Sequence, residues 1–365
     1  MKPIEPHQTR TETCAYCPSL CLHVCPVSTV EARDTVSPWG KVSLIHHQLE
    51  GNVSPTELTA AIAYKCTSCG ACTSWCRHSI DVAGILQAAR TNAIASGHEP
   101  FKVELFERND VSLRSKVFRE AVKCQRYHEF PPVLLFPGHT VLRESPDILS
   151  ELWGTLNRLE DDELVLGKAS SLDSGYMLWT GGYVNAFRQH AERLVPLLSQ
   201  AGTLVVLSPQ DLHMFKNVYP QFGFQLDVTL FDLTSYVLPM LSGASVDRQT
   251  GSIGYFDSCH LARHCSITDS PRQVLKRITA TPPTELALCR DATDCCGAGG
   301  GFSKTSKKSA EAAARRIIMQ AEESGIDRLL CFSPECVSLL QGVAPSGLAV
   351  EHGITLLNEA LRRSP

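Results

Sequence analysis

Eight of the sixteen cysteines in this 365-residue chain fall into two short runs near the N-terminus. They are Cys14, Cys17, Cys21 and Cys25, followed by Pro26, and then Cys66, Cys69, Cys72 and Cys76. Runs like these serve as disulfide frameworks, as zinc sites or as ligands to iron–sulfur clusters. The chain opens MKPIEPHQTR, without an apolar signal region, and no stretch reaches 18 continuous apolar residues, so a cytoplasmic protein is expected. Disulfides are rare in that compartment. Zinc needs only four ligands, whereas each iron of a 4Fe-4S cube takes one thiolate and a C-x2-C-x2-C loop can wrap three corners. Two consecutive four-cysteine runs, one ending in Cys-Pro, therefore fit two 4Fe-4S clusters better than zinc.

The pattern resembles that of two-cluster ferredoxins, in which the fourth cysteine of each run reaches across to the other cluster. The resemblance implies that Cys14, Cys17, Cys21 and Cys76 hold one cluster and that Cys66, Cys69, Cys72 and Cys25 hold the other. Two departures are visible: the first run is C-x2-C-x3-C, and Arg77 rather than proline follows Cys76. At 43% hydrophobic and 20% charged, the chain can bury a substantial core in two or three domains. A net charge of −4 gives no general attraction to nucleic acid or anionic membrane.

The expected class is α+β or α/β: a mostly helical ferredoxin-type domain over residues 1–100, a helical connector over 101–132, and two pseudo-symmetric β/α repeats over 133–245 and 246–365. Residues 80–97 read as a helix closed by Gly97. Beyond Pro131-Pro132, VLLF (133–136) leading to PGHTVLR parallels IGYF (253–256) leading to DSCHLAR, which sets His139 over Cys259. LWTGG (178–182) lies over DCCGAGG (294–300). Helices over 184–201 and 306–324, closed by Gly202 and Gly325, return to TLVVL-SPQD and RLLCF-SPEC. Each half ends in a strand running into an amphipathic helix, as one repeated supersecondary unit would.

Only the second half keeps its sulfur: Cys259, Cys295-Cys296 after 35 intervening residues, and Ser333-x2-Cys336 after another 36. With CHLAR and CCGAGGGF, this resembles the CCG or cysteine-rich domain. Over nearly its whole length the chain resembles the fused D-type subunit of heterodisulfide reductase and the iron–sulfur subunits of glycolate, lactate and glycerol-3-phosphate oxidases. The resemblance implies a third iron–sulfur cluster, non-cubane in heterodisulfide reductase, at Cys259, Cys295, Cys296 and Cys336. Zinc on the same four thiolates, or an empty site, stays open. The first cysteine of the final C-x2-C is Ser333 here, with Cys331 two residues earlier as a substitute. In the first half the matching positions are His139, Trp179, Thr180, Ser208 and Asp211, which cannot assemble a thiolate-bound cluster, so that half reads as scaffold. Disulfide cleavage in heterodisulfide reductase uses two such clusters, so it is not expected here in the same form.

Other residues receive plainer readings. Gly297 to Gly301 lacks the spacing and distal acid of a dinucleotide loop, and reads as a turn bringing backbone and a helix N-terminus close to sulfur. His260 and His264 read as hydrogen-bonding or surface residues, and His46-His47 as a partly exposed helix position. Cys124, Cys265 and Cys289 read as small buried hydrophobes, and Lys41 and Lys65 as solvated lysines. With no flavin or nicotinamide site of its own, the chain reads as a relay subunit, the enzyme class of the whole being left open. The resemblance implies an FAD-containing dehydrogenase or an electron-transferring flavoprotein as partner, with a quinone, a membrane-associated redox protein or a thiol docking at the cysteine-rich half. The alternatives are a heterodisulfide-reductase-like catalytic subunit and a zinc-binding assembly module.

Overall fold

The computed structural model describes residues 4–107 and 110–362. Its N-terminal part is helical, with helices Gln8–Ala15, Pro26–Glu31, Pro38–Leu49, Glu57–Ala63, Ala71–Ser74 and Val82–Ala95. Local chemistry accounts for their starts. Ser37 accepts from the Gly40 amide at 2.9 Å, with Pro38 in the first turn, and Asp81 accepts from the Gly84 amide at 3.0 Å. The helix expected over 80–97 begins two residues later, at the Asp81 cap, and Gly97 follows it with φ +74°. Val42, Ile45, Ile80, Val82, Ile85 and Leu86 form the small core of this region, against which Cys66, Cys72 and Cys76 pack. Each such aliphatic side chain contributes roughly 1.5–3 kcal/mol through burial.

Among the described residues, 101–132 are less helical than expected: one 3₁₀ turn, Val103–Leu105, and one helix, Lys116–Lys123, with irregular backbone between. The segment is held by anchors rather than by its own ladder. Phe106 is fully buried against Tyr64 and Tyr183, and Arg126 donates to the carbonyl of Asp161 at 2.6 Å.

Two four-stranded parallel sheets follow, with the same strand order, 2-1-3-4. The first contains β1 (Val133–Phe136), β2 (Leu164–Val165), β3 (Thr203–Val206) and β4 (Thr229–Asp232). The second contains β5 (Ile253–Tyr255), β6 (Thr284–Glu285), β7 (Arg328–Cys331) and β8 (Ala349–His352). Val133 pairs with Thr203 and Thr203 with Thr229; equivalently, Ile253 pairs with Arg328 and Arg328 with Ala349. The central strands read as unbroken apolar runs because helices cover both faces of the sheet. Helices Val184–Leu198 and Lys307–Glu323 each lead into the third strand of their sheet; Gly325 takes the left-handed backbone, whereas Gly202 does not. In this strand order the direction of winding reverses between the first and third strands, and the loops at their carboxyl ends diverge to leave a crevice. Pro137–His139 and Leu207–Ser208 border that crevice in one sheet, and Asp257–Cys259 and Phe332–Ser333 border it in the other. No described helix is long and apolar enough to cross a membrane.

One side chain ties the helical part to both sheet regions. Arg90, 1% exposed, donates to the carbonyls of Ala63 (2.9 and 3.1 Å), Thr180 (2.6 Å), Gly300 (3.1 Å) and Cys66 (3.2 Å). Truncating it would strand buried carbonyls at about 1–3 kcal/mol each. Arg90→Ala is expected to lower unfolding stability by about 3 kcal/mol or more, read from the denaturant midpoint, with Arg90→Lys recovering only part because a lysine cannot span the fork.

Candidate metal centre

The N-terminal cysteines sort into two spatial groups. Cys14 is flanked by Cys21, Cys17 and Cys76, and Cys21 by Cys76, Cys17 and also Cys25, which lies where the two groups meet. Cys72 is flanked by Cys69, Cys66 and Cys25. The last cysteine of each run therefore lies with the other run. Both loops turn tightly, with Ser19 at φ +52° and Ser68 at φ +54°, and the Ser68 amide donates to Cys66 Sγ at 3.4 Å. Burial pushes the Cys14 thiol up to about 12 and the thiols of Cys66 and Cys72 upward as well, so metal loading of these groups must expel protons.

Lys41, expected to be solvated, is 1% exposed; its Nζ lies 4.0 Å from Cys25 Sγ and donates to the Lys65 carbonyl at 2.7 Å. Burial opposes its charge, but Cys25, Cys66, Cys72 and Cys69 outweigh that and raise its pKa. Lys65 is also engaged, donating to Glu31 at 2.8 Å and to Ser306 at 3.0 Å. His46 is buried and His47 exposed.

The second-half cysteines meet in the crevice beyond β5 and β7. Cys259 Sγ lies 4.0 Å from Cys295 Sγ, and Cys296 Sγ lies 3.1 Å from Cys336 Sγ. Cys336 occupies the first turn of the helix Pro334–Gln341, capped by Ser333. Its neighbours Cys296 and Cys331, with the hydroxyls of Ser333 and Ser258, hold the Cys336 thiol well below the ordinary thiol range against the effect of burial. Cys69 interacts directly with Cys295, so this group abuts the one formed by Cys25, Cys66, Cys69 and Cys72.

The glycines explain that proximity. A Cβ on Gly299 would lie 2.4 Å from the Thr67 carbonyl oxygen, and one on Gly300 would lie 2.3 Å from that of Cys66. Gly297 to Gly301 thus seats backbone on the cysteine loop, in keeping with the close-approach reading. Arg263 clamps the same junction, donating to the carbonyls of Cys69 (2.6 Å), Asp291 (3.0 Å) and Thr293 (2.6 Å). Cys69, Cys259 and Cys295 outweigh burial and raise its pKa, while its Nη2 is buried without a partner. His260 is a buried neighbour of the cysteines, not a surface residue: its Nδ1 lies 3.5 Å from Cys259 Sγ and its Nε2 3.0 Å from the Tyr176 hydroxyl, which accepts from the Gly300 amide at 2.9 Å. His264 Nε2 bonds the Ser68 carbonyl at 2.8 Å. Cys265 is buried and Cys289 half-buried, but Cys124 is exposed, against expectation.

The donor set suits iron–sulfur chemistry. It offers soft thiolates in groups of four or five, backbone N–H donors to sulfur, and cations beside them, one with an unpartnered N–H. Among the described residues, no three His, Cys, Asp or Glu side chains converge closely enough to enclose a lone metal ion. Lys41, Arg263, Arg90 and Tyr176 carry no local sequence signal that marks them as parts of the site; only the CHLAR segment points toward Arg263.

Residues 10–80 match the 4Fe-4S dicluster domain family and residues 253–341 the cysteine-rich domain family. The chain is 25% identical over 332 residues to the D-type subunit of the dihydromethanophenazine:CoB–CoM heterodisulfide reductase of Methanosarcina barkeri, covering 85% of this chain and 81% of that one. It is 32% identical over 102 residues to the EtfAB:quinone oxidoreductase of Syntrophomonas wolfei, covering 27% of this chain and 14% of that much longer one. A hypothetical protein from Helicobacter pylori shares the fold at TM-score 0.56 and 9% identity, covering 100% of this chain and 76% of that one. The chain thus carries a 4Fe-4S dicluster domain and a cysteine-rich domain, and resembles the heterodisulfide reductase protein along most of its length.

Gly300 (φ +63°) and Gly51 (φ +76°) share a left-handed backbone, but nothing lies within 4 Å of a Cβ on Gly51. Alanine at Gly51 is expected to cost only the left-handed penalty, about 1–2 kcal/mol. Gly300→Ala is expected to cost clearly more, because the cysteine loop must move away; denaturation midpoints of the two variants make the comparison.

Proposed function

We propose that the chain is the iron–sulfur electron-transfer subunit of a multi-subunit oxidoreductase. It would relay single electrons between a flavoprotein, an FAD-containing dehydrogenase or an electron-transferring flavoprotein, and a second acceptor or donor. The observation that carries this reading is the continuous line of thiols. It runs from half-exposed Cys17, Cys21 and Cys76, through Cys25, Cys66, Cys72 and Cys69, to Cys295 and on to Cys296 and Cys336. Iron–sulfur clusters bound there would each take up and release one electron at a time.

In this reading Cys14, Cys17, Cys21 and Cys76 hold one 4Fe-4S cluster, and Cys25, Cys66, Cys69 and Cys72 a second. Cys259, Cys295, Cys296 and Cys336 take part in holding a third. Lys41 and Arg263 offset the negative charge that cysteine thiolates bring into a buried site. At the outer end, Tyr16 (77% exposed), Leu20 (67%) and Trp75 (53%) surround the half-exposed cysteines and offer a flavoprotein an apolar contact. At the inner end, a cleft of about 510 Å³ between the halves is lined by Thr140, Met177, Gln210, Lys304, Lys307 and Glu335, and would give a quinone or other acceptor a place on the wall formed by Glu335, the chain neighbour of Cys336. The EtfAB name of the shorter match supports the flavoprotein side.

The first half, a repeat of the second in strand order, acts as scaffold in this reading. With His139, Trp179, Thr180, Ser208 and Asp211 at the matching positions, it offers no thiol, which disfavours a reaction needing cysteine-bound centres in both halves.

Iron, sulfide and zinc per chain after anaerobic purification, with EPR of the oxidised and reduced forms, test the reading. Two cubes give about eight iron; iron clearly above eight without zinc supports the third cluster, and eight with one zinc reduces the second half to a structural site. Lys41→Met removes a buried cation beside the second group. It is expected to lower that cluster's midpoint potential in a redox titration, on the scale of about 59 mV for each 1.4 kcal/mol of lost interaction.

A further inference from the structure

We propose that Cys331 supplies the thiolate that Ser333 does not, so that the metal group in the crevice beyond β5 and β7 is held by Cys259, Cys295, Cys296, Cys331 and Cys336. The inference rests on the reading above that this crevice holds a metal centre, and it deepens that reading by naming its ligands.

Ser333 is committed elsewhere. Its hydroxyl caps the helix Pro334–Gln341, accepting from the Cys336 amide at 3.5 Å, and donates to Glu335 Oε2 at 3.0 Å. The other oxygen of that carboxylate, Oε1, accepts from Ser208 Oγ at 2.7 Å. Ser208 holds the matching place in the first half, so one buried glutamate is strapped between the two serines that stand where the cysteine motif would begin. A hydroxyl fixed in that bridge, and a hard oxygen besides, is a poor ligand for a site otherwise built of thiolates.

Cys331 is placed to serve. Residues two apart on an extended chain project from the same face, about 6–7 Å apart. The strand obeys this: Leu329 and Cys331 pack into the hydrophobic cluster that includes Cys296 and Cys336, while Leu330 and Phe332 pack into the opposite one. Cys331 is fully buried, at the carboxyl end of β7 where the crevice opens, and packs in the same cluster as Cys296 and Cys336. The remaining unassigned cysteines lie elsewhere: Cys265 beside Lys216 and Asp232, Cys289 beside Glu285 and Arg272, and Cys124 at the surface.

The test uses the full chain purified anaerobically as wild type, Cys331→Ala, and the double variant Cys331→Ala/Ser333→Cys. The readouts are iron, sulfide and zinc per chain and EPR of each redox form. The expected result is that Cys331→Ala loses the metal in excess of the two cubes while keeping about eight iron and the cube signals. The double variant, with a thiol returned to position 333, should regain it. Cys331→Ala retaining all of its metal overturns the proposal. Should Cys331→Ala lose the cube iron as well, the double variant decides: recovery supports the assignment and continued loss overturns it. Wild type with eight iron and no other metal overturns both this assignment and the third-cluster reading. Zinc in wild type overturns the cluster reading and the five-thiolate set with it, since zinc takes four ligands.

Discussion

The arrangement depends on a contact between two stretches of backbone. Gly299 and Gly300 lie so close to the carbonyls of Thr67 and Cys66 that no Cβ fits between them. Side chains would push the two loops at least about one ångström further apart; their absence lets Cys295 reach Cys69. Arg90 completes the contact by donating to Cys66 and Gly300 together, and Arg263 does so from the other side through Cys69 and Thr293. Main-chain carbonyls that would otherwise face one another unpaired across a buried junction are thus satisfied by two guanidinium groups. The geometry of the thiols follows from that junction.

Charge is the second determinant. Burying thiols favours their protonated form, as the raised values at Cys14, Cys66 and Cys72 show, whereas a metal requires the thiolate. Lys41 and Arg263 lower that cost from within. Lys41 is buried, and the surrounding sulfurs outweigh burial to sustain its charge; Arg263 is half-buried, and its guanidinium stays charged on three carbonyls beside Cys69, Cys259 and Cys295. In contrast, His213, His260 and His264 stack as rings 4.4–5.9 Å apart, and burial holds all three below the ordinary imidazole range, so they pack as neutral groups and add no charge.

What the residues disclose by themselves divides along sequence distance. The cysteine runs and the strands at 133–136, 203–206, 253–255 and 328–331 are legible because ligand loops and apolar strands are local patterns. The roles of Lys41, Arg90 and Arg263 are not. Arg90 meets Gly300 across 210 residues and Arg263 meets Cys69 across 194, so nothing near either arginine marks it as a partner of sulfur loops. Lys41 looks like any helix lysine because its burial comes from the loop that wraps around Cys66. The 101–132 segment looks helical from its polar composition, but tertiary anchors at Phe106 and Arg126 take the place of a regular ladder there. Cys124 shows the reverse error: a cysteine without partners is expected inside, and nothing in its local pattern reveals that it lies outside.

The Ser208–Glu335–Ser333 bridge bears on how a half without cysteines can still matter. Two halves with the same strand order place matching residues at the mouths of their crevices, and here both matching positions are serines. A buried glutamate between them would be costly if its oxygens were unpaired; with one serine on each oxygen it becomes a strut across the interface. That strut fixes the start of the helix carrying Cys336, and so the direction of its thiol. In the proposed reading the first half would act on the second half's site by holding the Cys336 helix in place, which asks nothing of His139, Trp179 or Thr180 as metal ligands.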